Sequence, residues 1–338
     1  MAATTYTGNG GTLAVSNAVN GVGMQPDLVW VKGRSVAYSH GLYDSVRGAT
    51  KRLISNLTNA EDTLSGVTAF NSGGFSLGSD INFNQNAATY VGWQWKGGGT
   101  PVSNTAGSIT SSVSANTTAG FSVVTYTGTG AVGATVGHGL GVSPSLIIQK
   151  PRSAGTSDDN WHVYHSSIGA TGALSLNTTS GTSTSAVWWN NTAPTSTVFT
   201  VGGSGAAGYT NNSGSTYVAY CFAPVSGYSA FGSYTGNGSA DGPFVYTAMR
   251  PRFIMLKRSD TGGANYNWFV YDSERNTFNA TQNYLEANLS TAEQTGVAVD
   301  FLSNGFKVRT ASTYWNASGG TFIYMAFAEN PFKYANAR

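Results

Sequence analysis

The sequence predicts an all-β protein made of three tandem antiparallel β-sandwich modules of the jelly-roll type. Three observations carry this prediction. Apolar residues fall in short runs rich in β-branched and aromatic side chains, Gly, Asn, Ser and Thr separate those runs, and one ordered pattern of motifs recurs three times. The runs and their separators indicate short strands joined by turns, and the repeat indicates the number of modules.

The repeat consists of motifs that return in the same order. A Tyr-Thr-Gly-x-Gly motif occupies residues 6–10, 126–130 and 234–238. A proline, an apolar run and a basic pair follow at 26–34, 144–152 and 251–258. An aromatic block comes next at 41–47, 162–168 and 269–275, and an apolar closing strand ends each copy at 90–95, 217–222 and 322–327. This order predicts module boundaries at 1–98, 99–228 and 229–338.

The elements follow from local composition. Buried strands are predicted at 28–31, 146–148 and 253–256, where an apolar run stands between Pro and Lys. The closing strands alternate, so we expect one of their faces to be core. Any helix will be short, and the best helical windows are 50–61 and 279–293. Strand-like residues around 97–120 predict a first strand of the second module there instead of a flexible linker.

Charge is scarce and unevenly placed. The 338 residues include 17 Lys and Arg and 15 Asp and Glu, a 9 % charged fraction against roughly 25 % in ordinary soluble domains. Residues 97–149 and 160–240 carry no charge, so we expect the second module to be buried against neighbours or to touch neutral, hydroxyl-rich ligands. The 18 Tyr, 16 Phe and 8 Trp exclude a disordered chain.

Several partner classes are not expected. Scattered basic residues give no stripe for phosphates, so nucleic acid is not a predicted partner. No apolar run reaches the length of a membrane span, and the first residues lack the basic start and apolar stretch of a signal peptide, so membrane insertion and ordinary secretion are not predicted.

Catalysis has one candidate pair of residues. Glycoside hydrolysis needs two facing carboxylates, and Asp44 and Asp272 occupy equivalent positions in the first and third modules. His165 takes that position in the second module. The sequence favours structural ion pairs, Asp44 with Arg47 and Asp272 with Arg275, so we predict no catalytic residues and no cofactor.

Metal binding is not predicted either. His162 and His165 form an H-x-x-H motif, but residues i and i+3 of a strand point to opposite faces and cannot chelate one ion. The single cysteine, Cys221, excludes a disulfide framework and is expected to be a buried small apolar residue.

A binding surface remains. Trp and Asn on a rigid β scaffold suit sugars, and the candidate ligand-binding residues lie in the neutral module: Trp188, Trp189, Asn190, Asn191, Asn211 and Asn212. The alternative is that both tryptophans are core. Strand alternation predicts one inside and one outside.

Longer strings resemble a known family. The segments at 25–35, 42–56, 71–79, 216–245 and 325–338 look like the repeated domain of tailed-bacteriophage virion proteins, of the tail-fibre or concanavalin A-like lectin type. The resemblance implies lectin-like sandwiches in a virion structural or receptor-binding protein without catalytic residues. It also implies a homotrimer on the tail or capsid surface, assembled in the host cytoplasm. The expected partners are other virion proteins and host cell-surface polysaccharide.

The sequence is compatible with three functions. The first is a tail-fibre or tail-tip adhesin that binds host glycan. The second is a capsid decoration or head-fibre protein with an assembly role, favoured by the modules beginning within six residues of Met1. The third is a glycan depolymerase using Asp44 and Asp272. The string at 325–338 is similar to C-termini in the family, so we expect the chain to end where its gene does.

Overall fold

The protein is nearly all β. The computed structural model describes residues 1–18, 21–156, 158–202 and 208–329. In this part of the chain the helices are three single turns, α1 (Ile81–Asn84), α2 (Gly208–Asn211) and α3 (Thr313–Asn316), and the strands pair antiparallel in several sheets. The predicted all-β class and short helices are therefore confirmed. The string at 330–338 lies outside the described residues.

The first sheets use residues up to 95, and we call them the N-terminal group. Its strands are β1 (Ala2–Thr7), β2 (Leu13–Ser16), β3 (Leu28–Gly33), β4 (Gly41–Asp44), β5 (Gly48–Leu53), β6 (Asp62–Thr63), β7 (Val67–Asn71), β8 (Gly74–Leu77) and β9 (Thr89–Trp95). One sheet has the order β1-β9-β3-β4-β5-β6 and the other the order β2-β8-β7.

The middle group uses residues 102–222. Its strands are β10 (Val102–Asn104), β11 (Ser111–Asn116), β12 (Phe121–Thr127), β13 (Ala134–Gly137), β14 (Leu146–Pro151), β15 (His162–His165), β16 (Gly172–Ser175), β17 (Ser183–Thr184), β18 (Val198–Val201) and β19 (Thr216–Phe222). The large sheet has the order β10-β11-β12-β19-β14-β15-β16-β17, and β13 pairs with β18. Strand β11 confirms the strand expected within 97–120, and it pairs with β12.

The C-terminal group uses residues 229–328. Its strands are β20 (Ser229–Thr235), β21 (Phe244–Tyr246), β22 (Pro251–Arg258), β23 (Phe269–Asp272), β24 (Thr281–Glu286), β25 (Gln294–Leu302), β26 (Gly305–Val308) and β27 (Thr321–Ala328). They form one sheet, ordered β20-β27-β22-β23-β24-β25-β26-β21. Its two ends pack on each other, since Tyr234 of β20 and Val245 of β21 share a core.

A further core joins the three groups. Each group buries one face of its large sheet within itself and the opposite face in a core that all three share. The last aromatic residues of the three closing strands meet there. The ring of Trp95 lies 6.1 Å from that of Phe222 and 5.7 Å from that of Phe327, and the rings of Phe222 and Phe327 are 5.9 Å apart.

The shared core corrects one expectation about the closing strands. One face of each was predicted to be core, but both faces are buried: Tyr90 packs inside the N-terminal group, while Val91 and Trp93 pack in the shared core. Alternation in the sequence gives only the periodicity of a strand. It does not show that a second layer from other parts of the chain covers the outer face.

The two helical windows were also wrong. Residues 50–61 and 279–293 contain β5 and β24. Leu53 and Leu285 pair across strands with Leu42 and Val270 and enter the shared core. Tertiary packing therefore overrides a weak local helical preference.

The Tyr-Thr-Gly-x-Gly motif has a structural explanation in three buried asparagines. Asn84, Asn211 and Asn316 end the three helical turns and are fully buried. The side-chain oxygen of each accepts from the backbone N–H of the variable residue in its motif, as Asn84 does from Asn9 at 2.9 Å and Asn316 from Asn237 at 2.8 Å. Each amide nitrogen donates to carbonyls of the same loop. The repeated motif is thus the partner of a buried amide.

Candidate functional site

The contacts between the groups define three seams. The first seam joins the middle group to the N-terminal group, the second joins the N-terminal group to the C-terminal group, and the third joins the C-terminal group to the middle group. Together the seams close a cycle, and the predicted carboxylates lie in two of them.

The first seam holds a buried set of charged groups. Arg47 Nε lies on Asp44 Oδ2 just after β4, and both side chains are fully buried. Arg47 Nη1 is 2.9 Å from Glu61 Oε2, and Arg152 of the middle group binds Glu61 in a bidentate pair at 2.9 Å. The Tyr220 hydroxyl, also from the middle group, donates to Asp44 Oδ2 at 2.9 Å.

The second seam repeats this arrangement. Arg275 Nε is 2.6 Å from Asp272 Oδ2, and Arg275 Nη1 is 3.0 Å from Glu293. Arg34 of the N-terminal group binds Glu293 at 2.9 and 3.0 Å, and Trp93 Nε1 donates to Asp272 Oδ2 at 2.9 Å. The aspartates in the two seams therefore have the same kinds of partner.

Electrostatics favour the charged forms of Arg47 and Glu61. Burial by itself lowers the pKa of Arg47, but Asp44, Tyr220 and Glu61 outweigh it and raise the pKa well above its usual value. Burial raises the pKa of Glu61, yet hydrogen bonds from Arg152 and Arg47 leave it lower than usual. Asp44 and Asp272 are fully buried in different seams, so the two do not face each other across one cleft.

The third seam has neutral residues in the same places. His165 stands where Asp44 does, Ile168 where Arg47 does, and Thr182 N donates to Ser259 O at 2.8 Å, as Glu61 N does to Arg152 O. His165 Nε2 is 3.1 Å from the carbonyl oxygen of Tyr324. Since a carbonyl only accepts, Nε2 carries the hydrogen, and burial lowers the pKa of His165 to about 4.

Each of the three seams contains one buried lysine. Lys32, Lys150 and Lys257 are fully buried and each donates to a carbonyl oxygen of the neighbouring group, on Ser290 at 3.1 Å, Thr58 at 3.0 Å and Thr179 at 3.2 Å. Desolvation lowers their pKa values to about 7, about 8 and about 7.

The histidines and the cysteine are separated, as expected for strand residues. His162 and His165 point to opposite faces of β15, the first into the middle group and the second towards Tyr324. No group of three or more potential metal ligands occurs among the described residues. Cys221 is buried, and desolvation raises the pKa of its thiol.

The predicted binding residues are divided between core and surface. Trp189 is buried, with its ring 6.0 Å from that of Tyr164, and Asn211 is one of the buried asparagines described above. Asn212 is half-buried and donates to Ser215 Oγ at 2.8 Å. The half-buried Trp188 remains beside Asn190 and the exposed Asn191.

The structure adds two residues to this patch. Trp188, Tyr209 of α2 and His162 form a cluster in which ring centroids are 6.1 to 6.4 Å apart. We call these three the ring cluster. Its loop is fixed to α2, because Thr210 Oγ1 donates to the carbonyl of Trp188 at 2.7 Å.

The ring cluster contains buried polar atoms without partners. Within the described residues, Trp188 Nε1 and His162 Nε2 make no hydrogen bond, and neither does Oε1 of Gln149, which pairs directly with His162 across the strands. Burial lowers the pKa of His162 to about 4, so its ring is neutral near pH 7. Unpaired buried donors and acceptors are costly, so they call for a water or a ligand.

Strain and exposure mark the rim of this cluster. Asn190 and Asn191 both adopt the left-handed conformation, with φ of 48° and 52°, which costs free energy in residues other than glycine. Sequence reasoning found Trp188 and Asn191 from composition. It missed Tyr209, which carries no local signal, and it considered His162 only as a metal ligand.

A family model described as a domain of unknown function, DUF7483, matches residues 1–331. No curated protein and no solved structure matches the chain. None of the helices in the described ranges is long and apolar enough to cross a membrane.

Proposed function

The chain belongs to the DUF7483 family, and we propose that it is a bacteriophage virion protein that acts as a tail-fibre or tail-tip adhesin. In this proposal it binds neutral host-surface glycan through the middle group and performs no catalysis. Three sandwich copies of jelly-roll or lectin-like type, at 1–98, 99–228 and 229–338, form the scaffold.

One observation carries the proposal. The ring cluster offers two half-buried aromatic faces, of Trp188 and Tyr209, next to the half-buried Asn190 and the exposed Asn191. Aromatic faces pack on the apolar side of a sugar ring, and amides pair with its hydroxyls.

Non-catalytic action is supported by the seams, where Asp44 and Asp272 are fully buried and each is paired with an arginine, Arg47 or Arg275. The absence of nucleic acid as a partner is supported by the placement of basic residues. Lys32, Lys150 and Lys257 are buried, and Arg47 and Arg275 are bound in the ionic seams.

A glycan-binding assay tests the adhesin. We expect the purified protein to bind susceptible cells or their neutral polysaccharide, and Trp188→Ala to weaken binding by roughly tenfold or more, since a buried aromatic contact is worth about 1–3 kcal/mol. Phe278→Ala is the control, because Phe278 is 83 % exposed in the C-terminal group. Equal binding by the Trp188 variant and the unmodified protein, with both folded, would contradict the proposal.

The alternative is a capsid decoration or head-fibre protein whose role is assembly. The closed cycle of three groups around one core favours it, since a three-part body fits threefold sites. A virion reconstruction decides: copies on the capsid lattice support this role, and copies only at the tail support the adhesin.

A further inference from the structure

A second polar recess lies in the middle group, away from the ring cluster. It is a groove of about 350 Å³, at the low end of the roughly 300–1,000 Å³ typical of small-molecule sites. Six hydroxyl side chains on one face of the sheet line it: Ser103, Thr110, Ser112, Thr125, Thr127 and Thr216. Ser111 and Tyr126 also border it, but their hydroxyls donate to the carbonyls of Gly137 and Thr210. We call it the hydroxyl groove.

The groove continues the sheet face that forms the shared core. Phe121 and Val123 of β12 point into that core, and by alternation Thr125 and Thr127 point to the same side further along the strand. Ser112 pairs with Thr125, and Thr127 pairs with Thr216, so these hydroxyls stand side by side at about 5 Å spacing.

Of the three groups as the structure describes them, only the middle group has an additional hairpin, β10–β11, that forms one side of this groove. The N-terminal group carries comparable hydroxyls at Thr5 and Thr89, and the C-terminal group at Ser233 and Thr321, all at matching register positions. The hairpin β10–β11 extends the middle sheet beyond β12, where the other two sheets end at β1 and β20. Ser103 and Ser112 come from that hairpin.

The hydroxyls are available for a ligand. Within the described residues none of the six hydroxyl groups of the groove makes a hydrogen bond, although the backbone groups of Thr216 do. Each hydroxyl can donate and accept. An apolar occupant would remove their water without replacing it, which is unfavourable.

Charge selects among polar ligands. Arg152 is the charged residue that lines the groove, and Glu61 engages its Nε and Nη2 at 2.9 Å. Nη1 keeps its donors, but the charge is compensated within the first seam. The groove therefore offers hydrogen bonds without net charge, which fits a neutral ligand and not an anion.

We propose that the hydroxyl groove is a binding site for a neutral polyhydroxylated ligand, a saccharide of one or two units. This inference goes beyond the proposed function, because it concerns a different surface and holds whether the protein sits on the tail or the capsid. Two sources have this chemistry, a free sugar and a glycosidically linked residue of a polymer.

Saturation-transfer NMR on the full chain tests the site. The probes are glucose, galactose and mannose at millimolar concentration, each with its methyl glycoside, and glucuronate as the anionic comparison. We expect transfer to at least one neutral sugar and less to glucuronate. Binding of the methyl glycoside as well indicates a linked residue, and binding of the free sugar alone indicates a free sugar; either supports the site.

Matched variants locate the binding. Thr125→Val with Thr216→Val removes two hydroxyls at nearly constant volume and should weaken binding by about 30-fold, since each of the two hydrogen bonds contributes about 1 kcal/mol. Thr5→Val with Thr89→Val makes the same change in the N-terminal group and should leave binding unchanged.

The site would be overturned by no transfer to any neutral sugar, by equal affinity of the Thr125/Thr216 variant and the unmodified protein, or by tighter binding of glucuronate. Loss of transfer in Trp188→Ala alone would assign the sugar to the ring cluster and also overturn it. Because Trp188→Ala is otherwise expected to leave the groove intact, failure of the groove and failure of the adhesin proposal are distinguishable.

Discussion

At the scale of single residues, the buried lysines are the most informative feature. Lys32, Lys150 and Lys257 face carbonyl oxygens in neighbouring groups. Carbonyl dipoles compensate an ammonium ion only in part, so desolvation lowers the three pKa values. The folded protein therefore binds these protons less tightly than the unfolded chain does.

This difference predicts that stability rises with pH. The folded pKa values are about 7 to 8 and the ordinary value is 10.5, so between these limits the unfolded state binds more protons and the free energy of unfolding increases as pH rises. Below about pH 7 both states are protonated and the contribution is flat. We expect the Tm to increase from pH 7.5 to 9.5.

The lysine variants provide the control. Above pH 9.5 tyrosines of the unfolded chain begin to ionise while the buried Tyr126 and Tyr220 have raised pKa values, which opposes the trend, so the comparison ends there. In Lys32→Met with Lys257→Met the slope of Tm against pH should be smaller. An unchanged slope would show that these two amines do not carry the effect.

At the scale of elements, the seams differ in one coordinated way. Four positions that are Asp, Arg, Glu and Arg in the first seam are His165, Ile168, Thr182 and Ser259 in the third. The closing strand of the C-terminal group offers Met325 where Tyr220 or Trp93 donates in the other seams. An aspartate there would receive no side-chain hydrogen bond from the neighbouring group, whereas the ring of His165 donates to the carbonyl of Tyr324.

This coordination predicts strong coupling within a seam. Arg47→Ile should destabilise the protein by about 3–5 kcal/mol, because it leaves the fully buried Asp44 without its cationic partner, while Glu61 keeps only Arg152. Adding Asp44→His, Glu61→Thr and Arg152→Ser installs the neutral set of the third seam. We expect this fourfold variant to be more stable than Arg47→Ile alone.

Chemical unfolding in urea measures both variants. Mutational effects that add independently would make the fourfold variant the least stable, since three further side chains are lost. That result would show that the seam residues do not act as one set. Arg52→Ile, in the pair of a half-buried arginine with the exposed Asp62, serves as the control and should change stability by less than about 1 kcal/mol.

At the scale of the whole molecule, three sheet groups of one chain surround one core. Trp95, Phe222 and Phe327 meet there from equivalent positions. The apolar faces that a trimer of single groups would have to bury are already covered within the chain.

This arrangement predicts the oligomeric state. We expect light scattering at micromolar concentration to give the mass of one chain, because no apolar face of the three large sheets is left for a second copy in the described residues. The mass of three chains would instead support the homotrimer that the sequence resemblance implies.

Much of this fold could be predicted from the sequence, for local reasons. Pro and Lys on either side of 28–31 and 253–256 define buried strands, and turn residues separate them. The shared core could not be predicted, since Trp93 and Leu53 reach it only after distant parts of the chain pack together. The ring cluster was found in part: Trp188 is conspicuous in composition, but Tyr209 approaches it only through the folding of α2.

Because the third seam is neutral and the other two are ionic, the three groups can contact one another in only one order around the core. In each seam one group contributes the buried lysine and the neighbouring group contributes the carbonyl oxygen that binds it. Arg34 and Arg152, close to two of these lysines, each pair with a glutamate of the neighbouring group. Ser259, at the corresponding position near the third lysine, contacts Thr182 instead. A circular permutant that begins at the middle group would keep every such match. Exchanging the middle and C-terminal segments would set an arginine against Thr182 and leave a glutamate opposite Ser259. The three segments are therefore not interchangeable. The side chains in the seams determine which segment contacts which around the core.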